Sequence, residues 1–335
     1  MPINLSIHPA RSRPRRGDWA WILGYCLGAK GGDPVRVLTV LAIGALLLLG
    51  ALVQAQVTEE ELAGWAFAHW EAVGQGDAGA VAAGFSPEGG IAFLGVPGLG
   101  FHRGTAVLQG WEAFFSLFPV QGYALRGEAR VSTPARLVYG TLELAVPGGV
   151  VAVDCYLRFG PDGKIIGADY VVAGGPAAPS PDGTIMEGEY FQGTQDPRSG
   201  VSLFWRNGLV VLFVALRAPG TGWVSAGFDP VNRMQGANYI MAAVTPEGLV
   251  IEDHFGTGTT SHRRDARQDI LRAAGTISGG QTVVEFVIPL DSGDPEDKPL
   301  VPGRTYTVLL AYHRSSTSFT VIHTARGSVQ MKLEE

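Results

Sequence analysis

The sequence predicts an α+β domain followed by an all-β sandwich, and three observations support this fold class. The 335 residues suffice for two domains of ordinary size. The 47 glycines and the charged fraction of 17% favour strands and turns over long solvated helices. A proline- and glycine-rich stretch at 174–183 separates residues 57–173, where helix signals come first, from residues 184–335, where nearly every apolar run has strand length. We expect this stretch to be a semi-stiff, unpacked linker.

Residues 1–55 read as a basic leader that ends in a signal peptide. Residues 37–53 are apolar and uncharged, Arg36 precedes them, and Val53-Gln54-Ala55 has the small residues that signal peptidase reads. We predict cleavage after Ala55 and an extracytoplasmic, periplasmic or secreted, protein. The alternative is an uncleaved membrane anchor through residues 37–53.

The charge of the mature chain excludes two classes of partner. Six of the 25 basic residues and two of the 31 acidic residues precede position 56, so 19 basic and 29 acidic residues remain. A net charge of −10 argues against nucleic acid and anionic lipid as partners, so a membrane enters only if the leader stays uncleaved.

Helix signals open the first domain. Thr58 before three glutamates predicts a helix start, and apolar residues at 62, 65, 67, 68, 70 and 73 predict its buried stripe. Asp77 predicts a short helix over 78–85, and a third helix is predicted at 105–118. The predicted strands are 91–94, 124–131, 137–146, 150–159 and 165–172. Helices followed by an antiparallel meander indicate an α+β domain with its helices on one face of a curved sheet.

The second domain reads as almost entirely strand. The predicted strands are 208–217, 222–228, 237–244, 249–255, 282–289, 305–311 and 328–333, with turn signals between them. Many short strands at this spacing predict a β-sandwich. Residues 267–274 are the one stretch for which we predict a short helix.

The first domain resembles the SnoaL-like, or nuclear-transport-factor-like, cone-shaped α+β barrels. The resemblance lies in Gly76-Asp77-Ala78-Gly79-Ala80-Val81, Ile91-Ala92-Phe93-Leu94-Gly95, and Gly104 before the third helix. It implies a hydrophobic pocket at the mouth of the cone but no particular activity. His69, His102, Asp154 and Tyr156 are candidates to line that pocket as acid–base groups.

The second domain resembles the DOMON family. The resemblance lies in the GWxxxGF strand 222–228, the loop that leads to Met234, the strand Val250-Ile251-Glu252-Asp253-His254-Phe255, and the stretches 309–312 and 323–328. The family includes haem-binding cytochromes, sugar-binding modules and members without an established ligand.

In the haem-binding branch a methionine and a histidine hold a noncovalent haem b. Carried over to this chain, the ligands are Met234 and His323, and His313 is a second candidate for the histidine. Aromatic residues implied for the haem slot are Trp223 and Phe228, with Tyr239 and Phe319. No CxxCH motif for covalent attachment occurs. With both axial positions filled, such a haem transfers electrons rather than activating oxygen.

The leading hypothesis is therefore an exported b-type cytochrome with an unknown redox partner and a ligand- or partner-binding cone domain. One alternative is a haem-free exported protein that binds a sugar or a small apolar molecule, and another is a hydrolase or isomerase in the cone domain. A metal cluster of His254 and His262 with Asp253 or Asp265 is the weaker reading, because a glycine- and threonine-rich loop separates the histidines. Arginines 263, 264, 267 and 272 form a solvated face or a docking surface for an acidic partner.

Overall fold

The computed structural model describes residues 57–175 and 177–335, which form one compact unit, Val57–Glu335. The predicted leader and its cleavage site lie outside these residues. Within the described ranges, no helix is both long and apolar enough to cross a membrane.

The N-terminal domain is built from three helices and one six-stranded sheet. In chain order its elements are α1 (Glu59–Gly74), α2 (Ala78–Ala83), β1 (Phe85–Leu94), β2 (Gly100–Arg103), α3 (Ala106–Leu117), β3 (Gly122–Ser132), β4 (Leu137–Val146), β5 (Gly149–Phe159) and β6 (Ile165–Val172). The sheet order is β2-β1-β6-β5-β4-β3, and β1 runs parallel to β6. The α+β prediction is confirmed. In place of a closed barrel the described residues form an open sheet, since its edge strands β2 and β3 do not pair with each other.

The first helix begins where the sequence predicts. Thr58 and Glu61 form a reciprocal capping box, with the Glu61 amide donating to the Thr58 hydroxyl at 3.2 Å. The buried stripe is Leu62, Ala66, His69, Trp70 and Val73. Phe67, predicted to belong to the stripe, is 43% exposed, because the helical repeat of 3.6 residues turns position 67 away from the buried face.

The four predicted acid–base residues do not converge on one pocket. His69 is buried in the core, with its Nε2 atom 2.7 Å from the Tyr170 hydroxyl. His102 lies on the same, helix-covered face of the sheet, but it packs against Gly110 of α3 and Phe93 rather than beside the His69 ring. Asp154 and Tyr156 contact the second domain instead: Asp154 pairs with Arg272, and Tyr156 packs edge-on against Phe213. The set that a hydrolase or isomerase would need is therefore dispersed.

Burial of His69 makes the protein sensitive to acid. Desolvation lowers the pKa of His69 from 6.5 to about 3, so between these values only the unfolded chain binds this proton. The folded state therefore loses about 1.4 kcal/mol per pH unit from this group as pH falls below 6.5. We expect the parent to lose about 3 kcal/mol more stability than the His69→Gln variant when the pH falls from about 7 to about 4.5. Denaturant midpoints of parent and variant at both pH values test this expectation. An equal loss of stability in the two proteins would contradict it.

The second domain is a sandwich of two antiparallel sheets. Its strands are β7 (Gln192–Gln195), β8 (Ser202–Asn207), β9 (Val211–Pro219), β10 (Val224–Phe228), β11 (Asn238–Thr245), β12 (Gly248–Phe255), β13 (Arg263–Arg264), β14 (Arg272–Ser278), β15 (Gln281–Pro289), β16 (Thr305–Tyr312) and β17 (Ala325–Lys332). One sheet has the order β14-β15-β9-β8-β7 and the other β13-β12-β11-β10-β16-β17. The predicted helix at 267–274 is wrong, because residues from Arg272 onward pair with β15.

The stretch at 174–183 is packed rather than free, contrary to the prediction. Ala178 is buried in an apolar cluster that includes Leu94 of the first domain and Phe213 of the second. The Gly183 amide donates to the Glu285 carboxylate at 2.7 Å, and Arg206 donates to the Ala177 carbonyl. Contacts with both domains therefore hold residues 177–183 in place.

A buried carboxylate joins the two domains. Asp169 of β6 is fully buried and accepts hydrogen bonds from the amides of Leu209, Val210 and Val211 at 2.6, 2.9 and 3.0 Å. Leu209 and Val210 lie in the turn between β8 and β9, and Val211 is the first residue of β9. A side chain at Gly208 in this turn would collide with the Asp169 carboxylate, so the contact requires glycine there.

Candidate functional site

The largest cavity described in the sandwich has a volume of about 620 Å³ and lies on the six-stranded sheet, on the face opposite the sandwich core. Alternate residues of β10, β11 and β16 point to this face, as Ser225, Met241 and Ala311 do. Val224, Ala226 and Phe228 point the other way. The volume lies within the roughly 300–1,000 Å³ typical of small-molecule and cofactor sites.

Three of the four residues predicted for the haem site line this cavity: Met234, His323 and Trp223. The predicted wall residues Tyr239 and Phe319 line it as well. Phe228 does not, which corrects the prediction: it packs in the sandwich core, because it lies an odd number of residues from Trp223 and so points to the opposite face of the sheet.

Two loops bring the methionine and the histidine to the cavity. Met234 lies between β10 and β11, and its loop is held by hydrogen bonds from the Gly236 amide to the Gly256 carbonyl (2.8 Å) and from the Gly256 amide to the Ala237 carbonyl (2.9 Å). His323 lies between β16 and β17, next to Thr324, whose amide donates to the Tyr312 carbonyl at 2.7 Å. Strand pairing thus brings together two side chains that are distant in the sequence.

The second candidate histidine, His313, has a structural role. Its Nδ1 atom accepts hydrogen bonds from the amides of Ser315 (3.1 Å) and Ser316 (2.7 Å), which closes the turn after β16. It is not among the cavity-lining residues. The geometry therefore favours His323 over His313 as the imidazole in the cavity.

The cavity wall is largely apolar but carries two buried donors without a partner. The indole Nε1 of Trp223 and the hydroxyl of Tyr239 have no hydrogen-bond partner among the described residues. Burial raises the pKa of Tyr239 well above its usual range, which keeps this hydroxyl protonated. Because buried donors are normally paired, these two atoms indicate that a ligand with acceptor atoms belongs here.

Three exposed arginines line the cavity, and sequence reasoning assigned them no role. Arg198, Arg233 and Arg326 form no salt bridge within the described ranges. Two of them are close in sequence to the predicted ligands: Arg233 precedes Met234, and Arg326 follows His323 by three residues. This closeness in sequence could have assigned both arginines to the site. They make the cavity suitable for an anionic ligand.

The four arginines predicted to form a solvated or docking face are each paired with acidic residues, and Arg263 and Arg264 remain exposed to solvent. Arg263 pairs with Glu296, Arg264 with Glu252, Arg267 with Asp269 and Asp294, and Arg272 with Asp154. Their positive charge is therefore compensated by neighbours, unlike that of the three cavity arginines.

A second imidazole, His262, also lines the cavity. Its Nδ1 lies 3.0 Å from Nδ1 of His254, whose Nε2 lies 2.9 Å from the Glu252 carboxylate. The carboxylate favours the proton on Nε2 of His254, so His262 donates from Nδ1 and keeps a lone pair on Nε2. Burial first, and then His254, lowers the pKa of His262. Burial, followed by Arg326, likewise lowers the pKa of His323, so the surroundings of both rings favour the neutral imidazole, the form that can bind a metal.

The comparison with protein families now identifies part of the chain. The model of the DOMON domain matches residues 199–313. These residues are a DOMON domain. The prediction made from the short motifs is thereby confirmed. Met234 lies inside the matched DOMON region, whereas His323 lies beyond it.

Two curated relatives share sequence with the DOMON region. The human DBH-like monooxygenase protein 1 is 26% identical over 143 residues, which are 42% of this chain and 21% of the relative. The mouse protein of the same name is 29% identical over 118 residues, 35% of this chain and 19% of the relative. The chain therefore spans about a fifth of the length of these relatives.

Solved structures resemble each domain at low similarity. The cytochrome b domain of pyranose dehydrogenase from Coprinopsis cinerea has a TM-score of 0.31 and 10% identity, covering 40% of this chain and 76% of that one. A SnoaL-like protein of unknown function from Burkholderia thailandensis has a TM-score of 0.29 and 16% identity, covering 36% of this chain and 99% of that one.

Proposed function

We propose that the DOMON domain binds one noncovalent haem b in the large cavity, between Met234 and His323, and acts as an electron carrier. The observation that carries the proposal is that these two side chains, nominated by separate sequence motifs, line one cavity of about 620 Å³. A thioether and an imidazole are an established ligand pair for electron-transfer haem.

The other cavity residues suit this ligand. Trp223, Leu309, Ala311 and Phe319 offer apolar surface for a porphyrin face, and three unpaired arginines at the cavity can bind two propionates. The indole nitrogen of Trp223 and the hydroxyl of Tyr239 can donate to ligand oxygens. When bound, haem iron supplies one-electron redox chemistry. Met234 and His323 would hold the iron from two sides of the cavity, and haem held by two protein ligands would carry electrons rather than activate oxygen.

An absorption spectrum tests the proposal. The full chain, produced with haem available, is expected to show a Soret band in the oxidised state and sharpened, shifted bands on reduction, with one haem per chain. A protein without a Soret band after incubation with haem would refute the proposal. If that colourless protein also gained thermal stability from a carbohydrate or an apolar small molecule, the haem-free binding function would replace it.

We further infer that the mature protein begins at Gln56 and acts outside the cytoplasm, where an unidentified redox partner accepts its electrons. The apolar stretch 37–53 and the small residues before Gln56 motivate this inference. N-terminal sequencing of exported protein tests it, and an intact leader would favour the membrane anchor.

A further inference from the structure

A second, much smaller cavity lies on the other side of the same sheet, between the two sheets of the sandwich. Its volume is about 10 Å³, which is room for about one water-sized particle. The apolar part of its wall, which includes Phe228 and Leu300, belongs to the sandwich core. The polar part includes Asn238, Asp253, Asp269 and Asp297, which come from four separate segments of the chain. Such a cavity can hold a single ion or water and little else.

The three aspartates are close enough to bind one ion together. One carboxylate oxygen from each of Asp253, Asp269 and Asp297 lies within 4.8 Å of the corresponding oxygens of the other two. Two oxygens bound to one calcium ion at 2.3–2.6 Å are at most about 5 Å apart. The observed spacing therefore fits ligation by a single cation without movement of the backbone.

Two oxygens on this wall are buried and have no donor. Asp253 is 1% exposed, and its Oδ1 atom accepts no hydrogen bond from the described residues. The amide oxygen of Asn238, on the neighbouring strand β11, is also buried without a partner. A buried acceptor that lacks a donor costs free energy, and the cost is greater for a carboxylate. This observation is independent of the aspartate cluster, because Asn238 is uncharged, and it indicates that a positive species belongs in the cavity.

Basic side chains of the described residues do not supply that charge. No salt bridge there reaches Asp253 or Asp297. Arg267 contacts one oxygen of Asp269 at 3.0 Å and also binds Asp294, which leaves the second Asp269 oxygen free. Lys298, on the cavity wall, is bound to Asp229 at 3.0 Å. Among the described residues, Asp253 and Asp297 therefore have no cationic partner, and an added cation could serve as one.

We propose that this cavity binds one calcium ion through Asp253, Asp269 and Asp297, with the amide oxygen of Asn238 as a further ligand. All four ligands are oxygens, and the wall contains no histidine or cysteine, so a hard cation is favoured over zinc or copper. Magnesium retains several water ligands, for which a cavity of about 10 Å³ has no room. Calcium accepts a set of ligands drawn mostly from the protein.

The ion would fix the loop that carries Met234. This loop begins at Asp229, which Lys298 holds, and ends at Asn238, a proposed ligand, so both of its ends lie on the cavity wall. The cation site does not depend on haem, so either proposal can fail without affecting the other.

The experiment uses the full chain, stripped with EDTA and then freed of the chelator. Calorimetric titration with CaCl₂ is expected to give one ion per chain. At calcium concentrations about 100-fold above Kd, the Tm is expected to rise by about 5–10 °C. MgCl₂ at the same concentration is expected to give a much smaller shift. Tryptic cleavage after the exposed Arg233 is expected to be slower with calcium than with EDTA.

Variants separate a specific site from a general effect of calcium. Asp253→Asn is expected to lose the binding heat and, in EDTA, to keep a Tm close to that of the parent, because the oxygen of asparagine can still accept the hydrogen bond from the Asp269 amide. Asp162→Asn, in an exposed turn of the N-terminal domain, is the matched control and is expected to bind like the parent. If Asp253→Asn does not fold, Asp297→Asn takes its place. A parent chain without binding heat or Tm shift overturns the proposal, as does an Asp253→Asn variant that binds calcium normally.

Discussion

Replacing His323 with alanine is expected to abolish stable haem binding. Loss of a partner that merely orients a metal ligand costs about 10–100-fold in metal affinity, so loss of the nitrogen ligand itself is expected to cost at least about 100-fold. The purified His323→Ala chain should be nearly colourless, while circular dichroism should show the parent content of strand. Haem is expected to be lost because the imidazole is the stronger of the two proposed donors. The fold is expected to be kept because His323 lies in a loop rather than in the core.

Met234→Ala is expected to retain haem but to change its spectrum and lower its reduction potential. A thioether ligand stabilises ferrous iron, so removal of Met234 would lower the potential of the haem and change its absorption bands. Met241→Leu is the matched control, since Met241 lines the same cavity from strand β11 and has no proposed ligand role. Its spectrum is expected to equal that of the parent.

The second imidazole in the cavity, that of His262, allows the most direct test of which histidine binds haem. His262→Gln is expected to leave haem bound, because His323 remains. If His262→Gln removed haem and His323→Ala did not, the assignment of the nitrogen ligand would be wrong, and the Glu252–His254–His262 chain would hold the ligand instead.

Replacing Asp169 with alanine is expected to destabilise the protein by about 3 kcal/mol, or roughly 6–12 °C in Tm. Three backbone amides would be left buried without an acceptor, and each costs about 1–3 kcal/mol. Part of this loss is offset, because burial raises the pKa of Asp169 to about 6 despite the three amide bonds, so a charged carboxylate at pH 7 is itself costly. Urea unfolding of parent and variant at pH 7 measures the difference.

A second contact across the domain interface serves as the control. Arg158 and Asp291 form a salt bridge at 2.5 Å, but both side chains are partly exposed. Asp291→Asn is therefore expected to cost about 0–1 kcal/mol. Equal losses from Asp291→Asn and Asp169→Ala would contradict the view that the buried amide contacts join the domains.

Most secondary structure could be predicted from the sequence because its signals are local. The capping box of Thr58 and Glu61, the alternating burial of β4 and the continuous apolar runs of β5 and β6 involve residues only a few positions apart. The helix predicted at 267–274 failed for the opposite reason: pairing of β14 with β15 overrode the local preference of the segment.

The candidate site was only partly predictable. Met234, His323 and Trp223 stood in recognisable motifs, and the structure brings them to one cavity. The assignment of Phe228 ignored strand alternation, which was already visible in the sequence. Arg198 lies far from both ligand motifs along the chain, and no sequence signal connected it to the cavity.

The sequence by itself determined the two-domain order, the DOMON identity of residues 199–313 and the residue types available for a haem site. Only the tertiary structure decided which histidine enters the cavity, that the stretch at 174–183 is packed, and that Asn238, Asp253, Asp269 and Asp297 surround one small space. The physical reason is the separation along the chain of the residues that interact. Caps, turns and alternation depend on neighbouring residues, whereas these contacts depend on strand register and sheet packing between segments that are distant along the chain.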